Sequence, residues 1–302
     1  MKKNYEKLNL LDFQKKYNTE DDCRQRLFEL RWPEGYKCPK CESQKYYYLK
    51  NRYLYQCSDC KYQVSITAGT VMHKTRTSLL KWFWAIFLVG NDKRGISALA
   101  LGKQLKLSRW VAWAMLHKIR TAMSDRDSNY KLAGLIEVDD SYFGGRDEGG
   151  KRGRGTKKVE VLIEVSTHEN AMSYAKMRVL DAVDQGNLKK YIEMDIENKQ
   201  IIKTDGFKAY SFIAKTDHEH RVEIVKDKKA HELLKWVHIL SSNAKAFIKG
   251  TYHGNFDRKH LQKYFDEFCY RLNRRKWEDQ LFDRLVTACL NSKGVTYAEL
   301  TA

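Results

Sequence analysis

The fold hinges on the run Gly134-Leu135-Ile136-Glu137-Val138-Asp139-Asp140-Ser141-Tyr142-Phe143-Gly144-Gly145. Its apolar first half, opened by Gly134 and closed by Asp139, reads as a β-strand with a carboxylate at its end. Downstream, Lys158-Val159-Glu160-Val161-Leu162-Ile163-Glu164-Val165 alternates as a second strand would, and a third fits Ser173 to Val179. Asp184 to Ile192 has helical spacing, Gln200-Ile201-Ile202-Lys203-Thr204 is a short apolar strand ending at Asp205, and Arg221 to Val225 is another. Helical patterns return from Ala230. Three leading strands followed by alternating helices and strands imply a mixed sheet flanked by helices, with functional groups at strand ends. The fold class expected is α+β or α/β, in several domains.

Upstream lies a metal signature. Cys38-Pro39-Lys40-Cys41 and Cys57-Ser58-Asp59-Cys60 are separated by fifteen residues, the spacing at which two CxxC turns each give two thiolates to one tetrahedral zinc ion. Between them Tyr46-Tyr47-Tyr48-Leu49 and Arg52-Tyr53-Leu54-Tyr55-Gln56 form a hairpin around Lys50-Asn51, which makes a zinc ribbon. A redox CxxC needs one pair, not two. Four thiolates close the coordination sphere, so this Zn2+ is structural. Cys23, Cys269 and Cys289 read as small buried hydrophobes.

Between ribbon and sheet, Gly95 to Leu105, the turn Lys106-Leu107-Ser108 and the run Arg109 to Arg120 read as a helix-turn-helix whose second helix is opened by a Ser cap. In a major groove that helix would bring Lys106, Arg109 and Lys118 to phosphates or base edges. An ordinary helical hairpin whose Trp110, Trp113 and Leu116 fill a core fits the same pattern. The stripe Trp82, Phe83, Trp84, Phe87 reads as core.

Charge favours nucleic acid as partner. The chain has 302 residues with 56 Lys+Arg against 38 Asp+Glu, a net charge of +18, while 42% hydrophobic residues suffice for a core. Lys151, Arg152, Arg154, Lys157 and Lys158 lie in a Gly-rich basic stretch that reads as a mobile loop gripping backbone phosphates. The longest apolar run, Trp82 to Gly90, is far below the roughly 20 residues of a membrane span, and the lysine-containing start has no apolar signal region. A cytoplasmic protein with no membrane contact is expected. The divisions expected are a helical lead-in over 1–31, a zinc ribbon over 32–72, a helix-turn-helix region over 76–126 and the mixed region over 134–295.

Asp139 and Asp205 each end an apolar strand. Carboxylates on neighbouring strand ends can share two divalent cations about 3.5–4 Å apart and so promote phosphodiester chemistry, and oxygen ligands beside phosphate suit Mg2+ or Mn2+. A lone strand-end Asp is more often a turn or helix cap.

The ribbon running into Val64-Ser65-Ile66-Thr67-Ala68-Gly69-Thr70 and His73-Lys74-Thr75-Arg76, then Glu137-Val138-Asp139 with Tyr142-Phe143-Gly144-Gly145, resembles the bacterial ISXO-type insertion-sequence transposases. Thr204 to Tyr210, Val237 to Gly254 and Tyr264 to Arg274 extend the resemblance over nearly the whole chain. It implies an RNase H-like catalytic domain of the DDE superfamily, with two Mg2+ or Mn2+ ions held by Asp139, Asp205 and a third residue on a later helix. The resemblance puts that third position, commonly Glu, on Asn243, and the trailing basic residue on Lys249, six residues later. Asn keeps a carbonyl oxygen for a metal but no charge. Asp140 and Glu232 are fallback carboxylates. His231, His238, His253 and His260 have scattered spacing that makes no metal site, and they read as ordinary hydrogen-bonding residues.

The activity expected is DNA transposition: cleavage at the element ends, then attack of the released 3′-hydroxyl on target double-stranded DNA. Two ends are handled together, which implies a homodimer or a higher synaptic complex. The alternatives are a zinc-ribbon, helix-turn-helix DNA-binding regulator with an inactive nuclease-like domain, and a nuclease that cuts without joining.

Overall fold

A computed structural model describes residues 8–145, 158–224, 233–253 and 256–301. The chain forms two compact units, one up to Asp125 and again from Trp277, the other from Arg126 to Lys276.

The first unit begins with α1 (Leu10–Lys16), capped by Asn9, and α2 (Glu20–Arg31), whose Thr19 and Asp22 form a capping box. Strands β1 (Tyr46–Leu49), β2 (Leu54–Cys57) and β3 (Gln63–Ser65) make an antiparallel sheet; the third strand adds to the expected hairpin. α3 (Leu79–Asn91) is apolar nearly all round and is buried along Leu79, Trp82, Phe83, Ala85, Ile86, Phe87 and Val89, so the aromatic stripe is core. α4 (Ala98–Leu105) and α5 (Arg109–Asp127) follow, joined at Lys106 in the left-handed conformation.

The second unit carries β4 (Leu135–Phe143), β5 (Val159–His168), β6 (Ala171–Leu180), α6 (Gln185–Asp195), β7 (Ile201–Thr204), a 3-10 turn over Lys208–Lys215, β8 (Glu219–Val222), α7 (Lys235–Tyr252) and α8 (Arg258–Asn273). The sheet order is β6-β5-β4-β7-β8. β4, β5 and β6 run antiparallel, whereas β7 and β8 run parallel to β4. This is the mixed sheet expected of an RNase H-like domain. Alternation along β4 divides its side chains: Ile136 and Val138 enter the core under α6 and the 3-10 turn, whereas Phe143 enters the core under α7 and α8.

The outer edge of β6 is covered by side chains. Gln262 of α8 accepts from Val179 N at 2.8 Å and donates to Met177 O at 2.9 Å; Asn273 accepts from Ala175 N at 2.8 Å and donates to Ala175 O at 3.0 Å. Behind the sheet, Asp195 accepts from Lys176 at 2.9 Å and from Arg178 at 2.5 Å, with the fully buried Glu164 beside them.

The chain returns to the first unit with α9 (Leu281–Asn291) and α10 (Tyr297–Thr301). The sequence reading carries the last region to 295, but the chain leaves that unit after Lys276. Phe282 packs with Phe13, Tyr17 and Phe83 at ring separations of 5.3, 5.3 and 5.6 Å, and Asp283 accepts from Arg26 at 2.6 Å. No helix among the described residues is long and apolar enough to cross a membrane.

Candidate active site

Three elements of the second unit carry the candidate residues: the middle of β4, the end of β7 and one flank of α7; β4 runs on to Phe143, so Asp139 stands midway along its strand and not at the end as the sequence suggested. Glu137 pairs with Lys203 in parallel register as the last pair of the ladder, and Asp139 and Asp205 each lie two residues beyond it, Asp205 just past the end of β7. Glu137 bonds the start of α7 and Ser141 bonds its middle, so Asp139, which alternates with them, faces the same helix. Lys203 Nζ points to the Leu233 carbonyl at 3.4 Å, and Asp205 continues that side of β7. Both carboxylates are half-buried. Asp205 Oδ1 accepts from Phe207 N at 3.0 Å in an Asx turn, and Asp139 Oδ1 accepts from Asp140 N at 2.8 Å, which orients each group. Asp140, the fallback carboxylate, alternates to the opposite side of β4.

Contacts with β4 set the phase of α7. Ser241 Oγ lies 2.8 Å from Ser141 Oγ, and Lys245 Nζ donates to the same hydroxyl at 2.9 Å. The residues that share this flank are one or two turns away: His238, three before Ser241, and Lys249, four after Lys245. His238 lies close enough to Glu137 for its charge to act on that carboxyl. Asn243 is exposed and stands two residues from both Ser241 and Lys245, about 200° round the helix. Asn243 therefore lies on another face of α7 than Ser241 and Lys245, whose flank His238 shares. Spacing alone hid His238, because no sequence signal states which flank of α7 meets β4. Glu232 lies outside the described residues.

Lys245 is held below the usual lysine range by burial and by the charge of nearby Lys158. Lys245 at Ser141 and Lys158 against Gly144 thus put two neighbouring basic side chains where a phosphate would be stabilised. Lys151, Arg152, Arg154 and Lys157 lie outside the described residues.

In the first unit the four cysteine sulfurs lie within 4.8 Å of one another, with Cys38–Cys60 at 3.6 Å and Cys41–Cys57 at 3.5 Å. Sulfurs at about 2.3 Å from a tetrahedral zinc ion stand about 3.8 Å apart, so the cluster fits Zn2+. Burial alone would raise the Cys38 thiol, but the Lys40 and Cys41 amides outweigh it and bring it down to about 6. The helix-turn-helix is formed by α4 and α5, with Ser108 Oγ accepting from Val111 N at 3.3 Å. A Cβ on Gly102 would meet the Leu107 carbonyl at 3.0 Å, so the turn is tight enough to favour glycine there. Lys106 and Arg109 are exposed, Lys118 is half-buried, and Leu116 is core. Trp110 is 66% exposed at the first turn of α5, which the hairpin-core reading does not anticipate. Trp113 is half-buried against His117 at 4.3 Å and Tyr297 at 6.0 Å.

An aspartate midway along β4, another just past β7 and a four-cysteine ribbon are the features expected of an insertion-sequence transposase. Residues 131–273 match the ISXO2-like transposase domain and residues 18–63 match the transposase zinc-ribbon domain; the chain belongs to this family of transposases. A relative described as an uncharacterized protein in transposable element ISH50 of Halobacterium salinarum is 25% identical over 213 residues, spanning 63% of this chain and 69% of its own. Among solved structures, the Mos1 transposase paired-end complex with left transposon end is similar at 12% identity and a TM-score of 0.27, over 70% of this chain and 79% of its own. The simian T-cell lymphotropic virus intasome in complex with PP2A regulatory subunit B56 gamma is similar at 13% identity and a TM-score of 0.30, over 45% of this chain. The chain spans 48% of that intasome chain.

Proposed function

We propose that the chain cuts and joins DNA at the ends of an insertion sequence, using divalent cations held by Asp139, Asp205 and His238. The observation that supports this reading is the parallel register of β4 and β7 up to Glu137 and Lys203, two residues before the two aspartates. Two carboxylates and an imidazole are a donor set that suits Mn2+ as well as Mg2+. When bound, such ions neutralise phosphate charge and make a water nucleophilic near neutral pH. Lys245 and Lys158 bind the phosphate, and the Ser141 hydroxyl orients Lys245. Lys249, one turn further along α7, reaches the DNA backbone. Asn243 is outside this set because of the face it occupies.

Lys106, Arg109 and the exposed first turn of α5 engage double-stranded DNA, with Lys118 in a supporting place and the basic segment 151–158 gripping phosphates. The ribbon, folded on structural zinc, adds a second DNA contact. Element ends are brought together by a homodimer or higher synaptic complex that also takes target DNA.

The test is cleavage and joining of labelled DNA that carries the gene's own flanks, in Mg2+ or Mn2+. Wild type should yield joined products, and Asp139→Ala and Asp205→Ala should bind the DNA without cutting it. A wild type that binds but neither cuts nor joins would leave a DNA-binding regulator; cutting without joining would leave a nuclease.

A further inference from the structure

The first turn of α7 needs an acceptor that its own cap does not supply. An α-helix leaves its leading N–H groups without intrahelical partners, and Leu234, at the cap position of α7, offers no side-chain acceptor. The acceptor comes from the sheet. Glu137 Oε2 takes Trp236 N at 2.8 Å and Val237 N at 3.2 Å, from a side chain only 6% exposed. A negative group at a helix N-terminus also complements its dipole. Glu20 of α2 does the same for α3, accepting from Leu79 N at 3.0 Å and Leu80 N at 2.8 Å.

The location of the Glu137 contact gives it consequence. Glu137 is two residues before Asp139 on β4, and the amides it holds immediately precede His238. Ser141, two residues after Asp139, is bonded to Ser241 and Lys245. Asp139 is thus bracketed by two ties between β4 and α7, and the upstream tie sets where the helix starts. A start displaced by one residue would rotate His238 by about 100° about the helix axis.

We infer that Glu137 is a positioning residue: it fixes the start and phase of α7 and thereby sets how His238 on that helix stands to the Asp139 stretch of β4. The inference rests on the metal-dependent transposase reading. Glu137 acts through its hydrogen bonds to the helix and does not itself bind the ion.

The experiment compares wild type, Glu137→Ala and Glu137→Gln in the full chain by three measurements. These are amide hydrogen exchange at residues 236–239, Mn2+ affinity by titration calorimetry, and cleavage rate at saturating DNA. Losing the acceptor should speed exchange and weaken Mn2+ affinity in Glu137→Ala by about tenfold each, the scale of a lost helix cap. Cleavage should slow while DNA affinity stays level. Glu137→Gln keeps an acceptor oxygen and should restore all three readouts to near wild type. If Glu137→Gln binds Mn2+ as weakly as Glu137→Ala, the negative charge is what matters and the positioning role is overturned. Unchanged exchange in Glu137→Ala overturns it as well. Should Glu137→Ala fail to fold, Glu137→Asp, one methylene shorter, takes its place: faster exchange with weaker Mn2+ binding supports the role, and wild-type values sink it. A wild type that binds no Mn2+ and cuts no DNA defeats the transposase reading, whereas the exchange comparison decides separately whether Glu137 holds α7.

Discussion

Lys245 of α7 donates to the Ser141 hydroxyl of β4 at 2.9 Å, across 104 residues of chain. That bond keeps a partly desolvated ammonium two residues along β4 from Asp139, where charge on a reacting phosphate would build up. A preorganised donor in such a place stabilises the transition state more than the bound substrate.

Lys245→Ala should therefore lower single-turnover strand cleavage by about 10²–10³, the usual cost of deleting one such donor, with DNA affinity within a few-fold of wild type. Lys249→Ala should weaken DNA binding modestly and leave the rate at saturating DNA near wild type. Equal rate losses in the two variants would contradict the assignment.

His238→Ala should cost at least about 10² in cleavage, as expected when one of three groups in a catalytic set is removed, while Asn243→Ala stays within about threefold. Because imidazole is a better partner for Mn2+ than for Mg2+, wild type should turn over faster in Mn2+. His238→Glu should move the preference toward Mg2+. Rates measured in both metals for these variants check all three statements, and a dead Asn243→Ala with an active His238→Ala would reverse the assignment.

One zinc ion per chain should be found by elemental analysis, released by a thiol-reactive mercurial in step with loss of the ribbon. Cys41→Ser should lower the zinc content and DNA affinity while the melting transition of the second unit is kept. Structural zinc supplies folding energy to its own module, so an unchanged ribbon without metal would be inconsistent with this site.

Glu164 gives a pH-dependent prediction. Burial first, then the neighbouring Asp195 carboxylate, push its proton affinity well above the ordinary carboxylate range, while Asp195, bonded to Arg178 and Lys176, is held below it. For a raised group, the stability it contributes is complete below the unfolded pKa of about 4.3 and declines as pH rises toward the folded value. Glu164→Gln should thus match wild type near pH 4 and melt higher near pH 8, by about 2–4 °C if roughly 1 kcal/mol is recovered. Thermal melts across that range check it; a lower melting point at pH 8 would mean that Glu164 is ionised and paired.

The ribbon, the two-helix motif and the mixed sheet were legible because each rests on local pattern: paired CxxC turns, a Ser cap after a tight turn, and apolar runs that end in Asp. That Asp139 and Asp205 lie on neighbouring parallel strands follows from apolar runs that sequence reading could locate, although β4 continues past Asp139 to Phe143. The orientation of α7 could not be read, since it depends on Glu137, Ser141 and Ser241, partners about 100 residues apart that form no pattern within the helix. Motif spacing pointed to Asn243, whereas the flank that meets β4 carries His238 and Lys245. The return of α9 to the first unit was hidden for the same reason, being written in Phe282 against Phe13 and in Asp283 against Arg26.

Asn273 meets Ala175 as another peptide group would, giving one donor and taking one, and Gln262 repeats the exchange two residues along. To a passing strand, the rim of β6 is already occupied. Copies of the folded chain cannot zip together along that stretch, and the protection begins only once α8 has docked.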